Sequence, residues 1–543
     1  MSFGGPSGKL PTAPHNFAQG PSANIQRSSF DRSHRHKTTI NSGYLYPIFA
    51  DEVVPGDTMS LNVNVFARLA TPIVPSMDNL TADFFFFFVP LRILQTNFVR
   101  LMGERKPDPD SSIDFLTPIV PSPVGGFDVG SLYDYLSVPT EIENLNVVNY
   151  HARAYNMIWR DWFRDENLQD SPVVDVDDGP DVDTDYILRR RGKRHDYFTS
   201  CLPWPQKGDP VSIPLGTTAP VIGIGKLNQV YATNTDVYET DNPVQVNYPF
   251  YQVIDGATAD VQFAIRGNAA TNGEPMIYAD LSAATAATVN SLLLAMQMQA
   301  LLVRDAQGGT RYVEIVPAHF GVTVPDFRLQ RPEYLGGGSA PVTFSPIPQT
   351  SQSATGAPQG TLAAMAVIQG GAGFSKSFVE HGVLLGLMSI RAELGYQQGL
   401  NRMFSRRTKY DFYWPGLANI GEQAVLNKEI YAQGSAVVDA GEIVDDQPFG
   451  YNERYAEYRY KPSIVTGQFR STFAESLDIY HYAQDFTDLP VLDDAFIQDN
   501  PPVERNIAIT TEDYPQFLVD MYFNYRCARP MPVHGVPASF SRF

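Results

Sequence analysis

The chain has 543 residues, 43% of them hydrophobic, 12% aromatic and 18% charged, which is enough apolar material for a large buried core and excludes wholesale disorder. Its 40 basic and 59 acidic residues give a net charge of −19, which excludes a protein whose entire surface grips nucleic acid. Two cysteines far apart, Cys201 and Cys527, exclude a disulfide framework or a cysteine-based metal spacing and point to a reducing compartment.

The surplus of turn formers, Gly 41 and Pro 42, argues against a protein built mainly of long helices. The longest apolar stretches, such as Phe84 to Leu91, fall far short of the ~20 residues that span a bilayer. No charged segment followed by an apolar one comes after Met1, so neither export by a signal peptide nor membrane insertion is expected.

Residues 1–37 are rich in Gly, Pro, Ser and Asn and read as a flexible arm, because so little apolar surface cannot offset the entropy of ordering. Through residue 40 it carries Lys9, Arg27, Arg32, Arg35 and Lys37 against Asp31 alone. That local +4 in an acidic chain suggests either an arm that faces nucleic acid or a solvated tail. His34 and His36 have no further metal-ligand set nearby.

From Thr38 the pattern changes. Leu61, Val63, Val65, Ala67 and Leu69 alternate with Asn62, Asn64 and Arg68, the period-two pattern of a half-buried strand, interrupted by Phe66 on the polar side. Phe84 to Phe88 points rings to both faces of a strand and needs cover on both, from a second sheet and from a neighbouring element or subunit. Phe84, Phe86 and Phe88 are therefore candidates for an intersubunit interface. Tyr155, Ile158, Trp159, Trp162 and Phe163 follow the spacing of one helical stripe.

Asp175-Val-Asp-Asp-Gly-Pro-Asp-Val-Asp-Thr-Asp185 places six carboxylates in eleven residues. Counted from Asp181, positions six and twelve are Tyr186 and Gly192, so the EF-hand pattern fails. What remains is a calcium site at Asp181, Asp183 and Asp185, or an acidic loop that is solvated or neutralised by arginines. Arg189, Arg190, Arg191, Lys193 and Arg194 follow at once. They are expected either to bind nucleic-acid phosphate or to pair with the aspartates or a neighbouring subunit.

Between Leu215 and Ala287 the composition shifts to Ala, Thr, Asn and Gly, as in a separate surface module. A helix is predicted from about Thr288 to Arg304, with an apolar stripe widened by Leu294, Leu301 and Leu302, hence buried on more than one side. Gly336 to Gly338 and Gln349 to Gly360 read as loops. Tyr451, Arg454, Tyr455, Tyr458 and Arg459 lie in a Tyr/Arg-rich run that suits either an intersubunit interface or the stacking of single-stranded bases. Val519, Met521, Phe523 and Tyr525 again alternate with polar residues, so strands at the two ends of the chain suggest a sandwich closed by distant segments.

For enzymes, neither an HExxH spacing, a GxSxG elbow nor a GxxxxGK[ST] loop is present. Catalysis is not expected.

Several strings carry a resemblance: Phe30-Asp-Arg-Ser-His-Arg-His-Lys-Thr-Thr39, Ala152-Arg-Ala-Tyr-Asn-Met-Ile-Trp-Arg-Asp-Trp-Phe163, Arg190-Arg-Gly-Lys-Arg-His-Asp-Tyr-Phe198, Arg328-Leu-Gln-Arg-Pro-Glu-Tyr-Leu-Gly-Gly337 and Gly421-Glu-Gln-Ala-Val-Leu-Asn-Lys-Glu-Ile-Tyr431. By these the chain resembles the major capsid proteins of the microvirus family of single-stranded-DNA bacteriophages, most closely the gokushovirus branch. The resemblance implies a mainly β fold, an eight-stranded antiparallel jelly roll of viral capsid type with long helical and loop insertions. It further implies sixty copies in a T=1 icosahedral shell around circular single-stranded DNA, with a small basic DNA-binding protein, a DNA pilot protein and a scaffolding protein as partners.

The jelly roll is accordingly expected over residues 38–214 and 288–543. Residues 215–287 would form a threefold protrusion that meets a bacterial host-surface receptor. The resemblance places the chain in the virion, assembled in the host bacterial cytoplasm. The competing class, a β-rich carbohydrate-binding or carbohydrate-active protein, would show similar alternation but is not favoured by a basic arm.

Overall fold

The computed structural model describes residues 26–104, 114–205, 289–308, 312–321, 330–348, 350, 362–508 and 514–534, with the backbone of seven short strands between 221 and 279. The chain divides into two compact units, Met1–Pro205 with Val324–Phe543, and Gln206–Thr323. The boundaries differ from the expected ones. The inserted unit is wider than 215–287 and takes in the helices after it, so the second part of the core starts near Val324 rather than at 288.

The larger unit is organised by one antiparallel sheet. Its strands are β1 (Ser28–Asp31), β2 (His34–Ile40), β3 (Tyr46–Val53), β4 (Thr58–Leu69), β5 (Leu80–Pro90), β6 (Glu333–Pro348), β7 (Leu362–Ser377), β8 (Gly382–Ala392) and β9 (Phe517–Arg529). They pair in the order β1-β9-β4-β7-β6-β5-β8-β3, with β2 also on β9. The last strand thus sits beside the first ones, as the alternation at both chain ends predicted.

The sheet curls until its ends meet. β3 stands at the far end of the pairing order from β2 and β9, yet His36 Nδ1 lies 2.9 Å from the Ile48 carbonyl and the Phe49 and Phe523 rings are 5.4 Å apart. Tyr525 on β9 donates its hydroxyl to Asp51 on β3 at 2.6 Å. A curled antiparallel sheet of this kind, a half-barrel with its ends in side-chain contact, is consistent with a jelly roll, and the fold is of the jelly-roll viral capsid type.

β4 shows why the residues choose their faces. Met59, Leu61, Val63, Val65, Ala67 and Leu69 are all buried, and Phe66, the residue out of pattern, stays 52% exposed. These side chains, with Val519, Met521 and Phe523 of β9, form the central core inside the curl.

The phenylalanine run lies in β5, between β6 and β8. Phe86 faces Gly336 on β6 and Gly386 on β8. A Cβ on Gly386 would come within 2.8 Å of the Phe86 ring, and one on Gly382 within 2.1 Å of the Phe88 ring, so only glycine allows the rings and the neighbouring strand to share this space. Gly336 to Gly338, read from sequence as a loop, are therefore strand. Most of the other loop, Gln349 to Gly360, lies outside the described residues.

Outside the sheet, helix α1 (Tyr150–Ile158) runs on into a π-helical turn at Trp159–Phe163. Its stripe of Tyr155, Ile158 and Trp159 is buried with Phe87, Val89 and Leu385 in a second core. In the other unit, α2 (Val289–Gly308) is flanked by α3 (Tyr312–Phe320). The expected burial of α2 on several sides is corrected: Leu293, Leu294, Met296 and Leu301 are half or more exposed. α3 packs beside it, joined by His319 Nε2 and Asp305 at 2.6 Å.

Candidate assembly and genome-contact surfaces

The expected arm is shorter than 37 residues. Strand begins at Ser28, because β1 and β2 find ladder partners on β9, with Ser28 opposite Arg529 and His34 opposite Phe523. Lys9 lies outside the described residues. Arg27 donates to the Thr58 hydroxyl at 2.8 Å, and Arg32 forms an ion pair with Asp51 while lying 5.2 Å over the Tyr525 ring. Arg35 and Lys37 are exposed on β2.

The basic run at 189–194 turns inward. Arg189 lies 5.2 Å over Trp159, Arg190 lies 4.2 Å over Tyr44, and Arg191 lies 4.7 Å over Phe85. Arg190 donates to the Asp499 carbonyl at 3.0 Å, and Arg191 pairs with Asp83 at 2.6 Å, where Arg391 also arrives at 3.1 Å. Lys193 is buried 4.3 Å from the Phe496 ring, and burial pushes its ammonium down to about 8. Arg194 is half-buried.

Four of these cations thus lie over aromatic rings of their own chain, and Arg191 pairs besides with a carboxylate on β5. Arg189 also donates to the carbonyl of Asp185, at the end of the acidic run, at 3.4 Å. Desolvation decides the chemistry here: Asp499, buried among these cations, is still pushed up to about 6.

The acidic loop has another neutraliser. Arg153 on α1 has no exposed surface and donates Nε to Asp181 Oδ2 at 2.7 Å, with a second bond from Nη2. It also donates to the carbonyls of Leu94 at 2.9 Å and Asp177 at 2.8 Å. Asp181, bonded besides by Asn149, is held below the usual carboxylate range despite burial. A guanidinium thus occupies the carboxylate that a calcium ion would need. Among the described residues no three His, Cys, Asp or Glu side chains are grouped to hold a metal, and Asp181, the first of the expected calcium ligands, is already held by Arg153.

Phe84, Phe86 and Phe88 are buried in the central core, and Phe87 in the second one. The cover that the run required comes from the chain itself, which corrects its assignment to an intersubunit contact.

The Tyr/Arg segment divides. Tyr455 is buried in a left-handed backbone conformation, Tyr451 and Arg454 are half-buried, and Tyr458 and Arg459 are exposed. Tyr458 does not stand alone. Arg406 lies 4.3 Å over its ring and 5.7 Å over Phe412, while Tyr413 lies 5.3 Å from Tyr455 and 6.2 Å from Tyr458. Residues 402–414 were missed from sequence, although Arg406-Arg-Thr-Lys-Tyr-Asp-Phe-Tyr-Trp414 has the same mixture of aromatic and basic residues. The two segments together make one exposed aromatic and basic surface.

Comparison with known proteins agrees with the curled sheet. The family described as "Capsid protein (F protein)" matches residues 18–539. The chain is 48% identical to Capsid protein VP1 of Bdellovibrio phage phiMH2K, with 97% of this chain and 98% of that protein covered. It is 42% identical to Capsid protein VP1 of Chlamydia phage 1 and 36% identical to that of Spiroplasma virus 4, at the same coverage. The chain therefore belongs to the phage F-protein capsid family, with gokushovirus-type relatives, and is a structural major capsid protein of the virion.

Proposed function

We propose that the chain assembles as sixty copies into a T=1 icosahedral shell around a circular single-stranded DNA genome, and that it carries out no catalysis. The observation that supports this best is the curled antiparallel sheet whose last strand, β9, pairs with β1, β2 and β4, within a chain that matches capsid proteins over nearly its whole length. Such a curl buries its own core and leaves its loops and insertions to make contacts between copies.

The exposed cations of the amino-terminal segment, Arg35 and Lys37 with the arm before them, would face the genome. A small basic DNA-binding protein would share that role, and a DNA pilot protein and a scaffolding protein would take part in assembly in the host bacterial cytoplasm. The unit Gln206–Thr323 would form the threefold protrusion and meet a bacterial host-surface receptor. Among the described residues no helix is long and apolar enough to cross a membrane.

The test is co-expression with the other virion proteins, followed by nuclease treatment and a density gradient. Sedimenting particles that protect single-stranded DNA are expected. A chain that stays at the top of the gradient under those conditions would contradict the proposal and favour a monomeric carbohydrate-binding protein.

A further inference from the structure

Two faces of the larger unit carry a local excess of one charge sign, even though Arg402 and Arg406 pair with Glu429 and Glu457, and Arg459 with Glu453, within the fold. The first is the aromatic and basic surface. Over 402–414 and 451–461 the chain has seven Lys and Arg residues against three carboxylates. Tyr410, Phe412, Tyr413, Trp414, Tyr458 and Tyr460 are each about half exposed.

Its rings are held in place. Trp414 donates Nε1 to the Lys409 carbonyl at 2.7 Å, and Asp411 accepts from the Arg407 and Thr408 amides at 2.9 and 2.7 Å. Pre-positioned aromatic side chains lose little entropy on docking, which makes them effective anchors.

The second face is acidic. Residues 116–148 and 173–187 hold ten carboxylates and neither Lys nor Arg. The two segments are joined: the Asp181 amide donates to the Ile119 carbonyl at 2.8 Å, the Asn149 amide to the Pro118 carbonyl at 3.0 Å, and Gln95 bonds the Leu116 carbonyl at 2.7 Å as well as Asp178. From beneath, the buried Arg153 serves Asp181 and Asp177.

Leu116, Val124 and Val182 stand exposed among the remaining carboxylates. Ser137, Glu141 and Asn144 hold positive φ angles of 69°, 58° and 58°, a backbone cost concentrated at one loop of this face.

We infer that the aromatic and basic surface of one copy docks on the acidic, apolar-studded face of a neighbouring copy. The inference rests on the reading of the chain as a self-assembling shell protein and adds to it the contact surface and its chemistry. Opposite charge steers the encounter and fixes register, and the half-exposed rings supply apolar area to cover Leu116, Val124 and Val182. Because the two faces differ, the contact is heterologous. Repeated around a closed shell, a contact between two different faces of successive copies builds a ring where the rotation between them closes. Single-stranded bases could stack on the same rings, but that occupant would leave the acidic face uncompensated.

Charge reversal tests the pairing in the full chain co-expressed with the other virion proteins. Arg407→Glu with Lys409→Glu is expected to lower the yield of sedimenting shells at least tenfold, and Glu141→Lys with Asp183→Lys to do the same. All four changes together are expected to recover most of the loss. The milder pair Arg407→Gln with Lys409→Gln should give an intermediate yield, and unchanged circular dichroism and melting of the soluble variants would show that folding is intact.

Shells at wild-type yield from either reversed pair would overturn the inference, as would folded single-face variants that the combined variant does not rescue. Normal yields of shells that have lost their DNA would overturn it too and assign the rings to nucleic acid. A wild-type chain that forms no shell overturns the assembly reading itself, and the interface with it.

Discussion

Arg153 and Glu422 show opposite uses of a charge inside the fold. Arg153 compensates Asp181 with two hydrogen bonds and satisfies two carbonyls besides. Arg153→Met leaves a buried carboxylate unpaired, and such losses cost about 3–5 kcal/mol. Chemical denaturation near neutral pH should show it, and Asp181→Asn in the same background should restore part of the loss.

Glu422 lies opposite Glu453 in the short ladder of Glu422–Leu426 with Pro448–Glu453. Burial and that like charge push it up from 4.5 to about 7. The folded state therefore holds its proton more tightly than the unfolded chain between about pH 4.5 and 7, so this group's contribution to stability falls as pH rises through that window and is constant above it. Glu422→Gln should raise stability at pH 8 by about 1 kcal/mol, discounted for partial exposure, and leave it unchanged at pH 4. Equal effects at both pH values would contradict this.

Neither pairing was legible in the sequence. Arg153 stands 28 residues from Asp181, and the density of basic residues at 189–194 suggested phosphate contact or pairing with the aspartates or a neighbouring subunit, whereas four of them lie over Trp159, Tyr44, Phe85 and Phe496. Local charge density reports composition, whereas burial is decided by strands that arrive from elsewhere in the chain.

Among the elements, β4 and β9 were readable because one face of each is buried and the other is not, and a period of two records that directly. β5 was readable as a strand but not in its cover. With rings on both faces it could have met another subunit, and what decides the matter is the close approach of β6 and β8 through glycine. Gly382→Ala would place a methyl group 2.1 Å from the Phe88 ring and 2.8 Å from the Val89 carbonyl. It should cost at least about 3 kcal/mol, the upper end for overpacked sites, seen as a lower melting temperature or insoluble chain. An unperturbed variant would mean that the strands can part at this point.

α2 was readable as a helix because of its period, but not as an exposed one. Its sequence has apolar residues around most of its circumference, and a sequence does not state how many neighbours will cover them. Phe66 on β4 is the converse case, an aromatic side chain correctly placed on the polar face by counting alone.

At the scale of the molecule, the closure of the sheet by β9 was anticipated by matching patterns at opposite chain ends, and the family strings added the jelly roll. The inserted unit was recognised by composition, but its limits were not. Gln206–Thr323 extends past the compositional shift because α2 and α3 belong to it and are apolar. Replacing that whole unit with a flexible Gly/Ser linker should leave shell formation intact and abolish adsorption to host cells. Loss of shells would instead make the unit a clamp between copies.

The most direct test of the capsid account is electron microscopy of particles from cells that express the chain with its companion virion proteins. Uniform icosahedral shells with projections at the threefold axes, and with the β1–β9 curl forming their wall, are the predicted result. Dispersed monomers under those same conditions would contradict it.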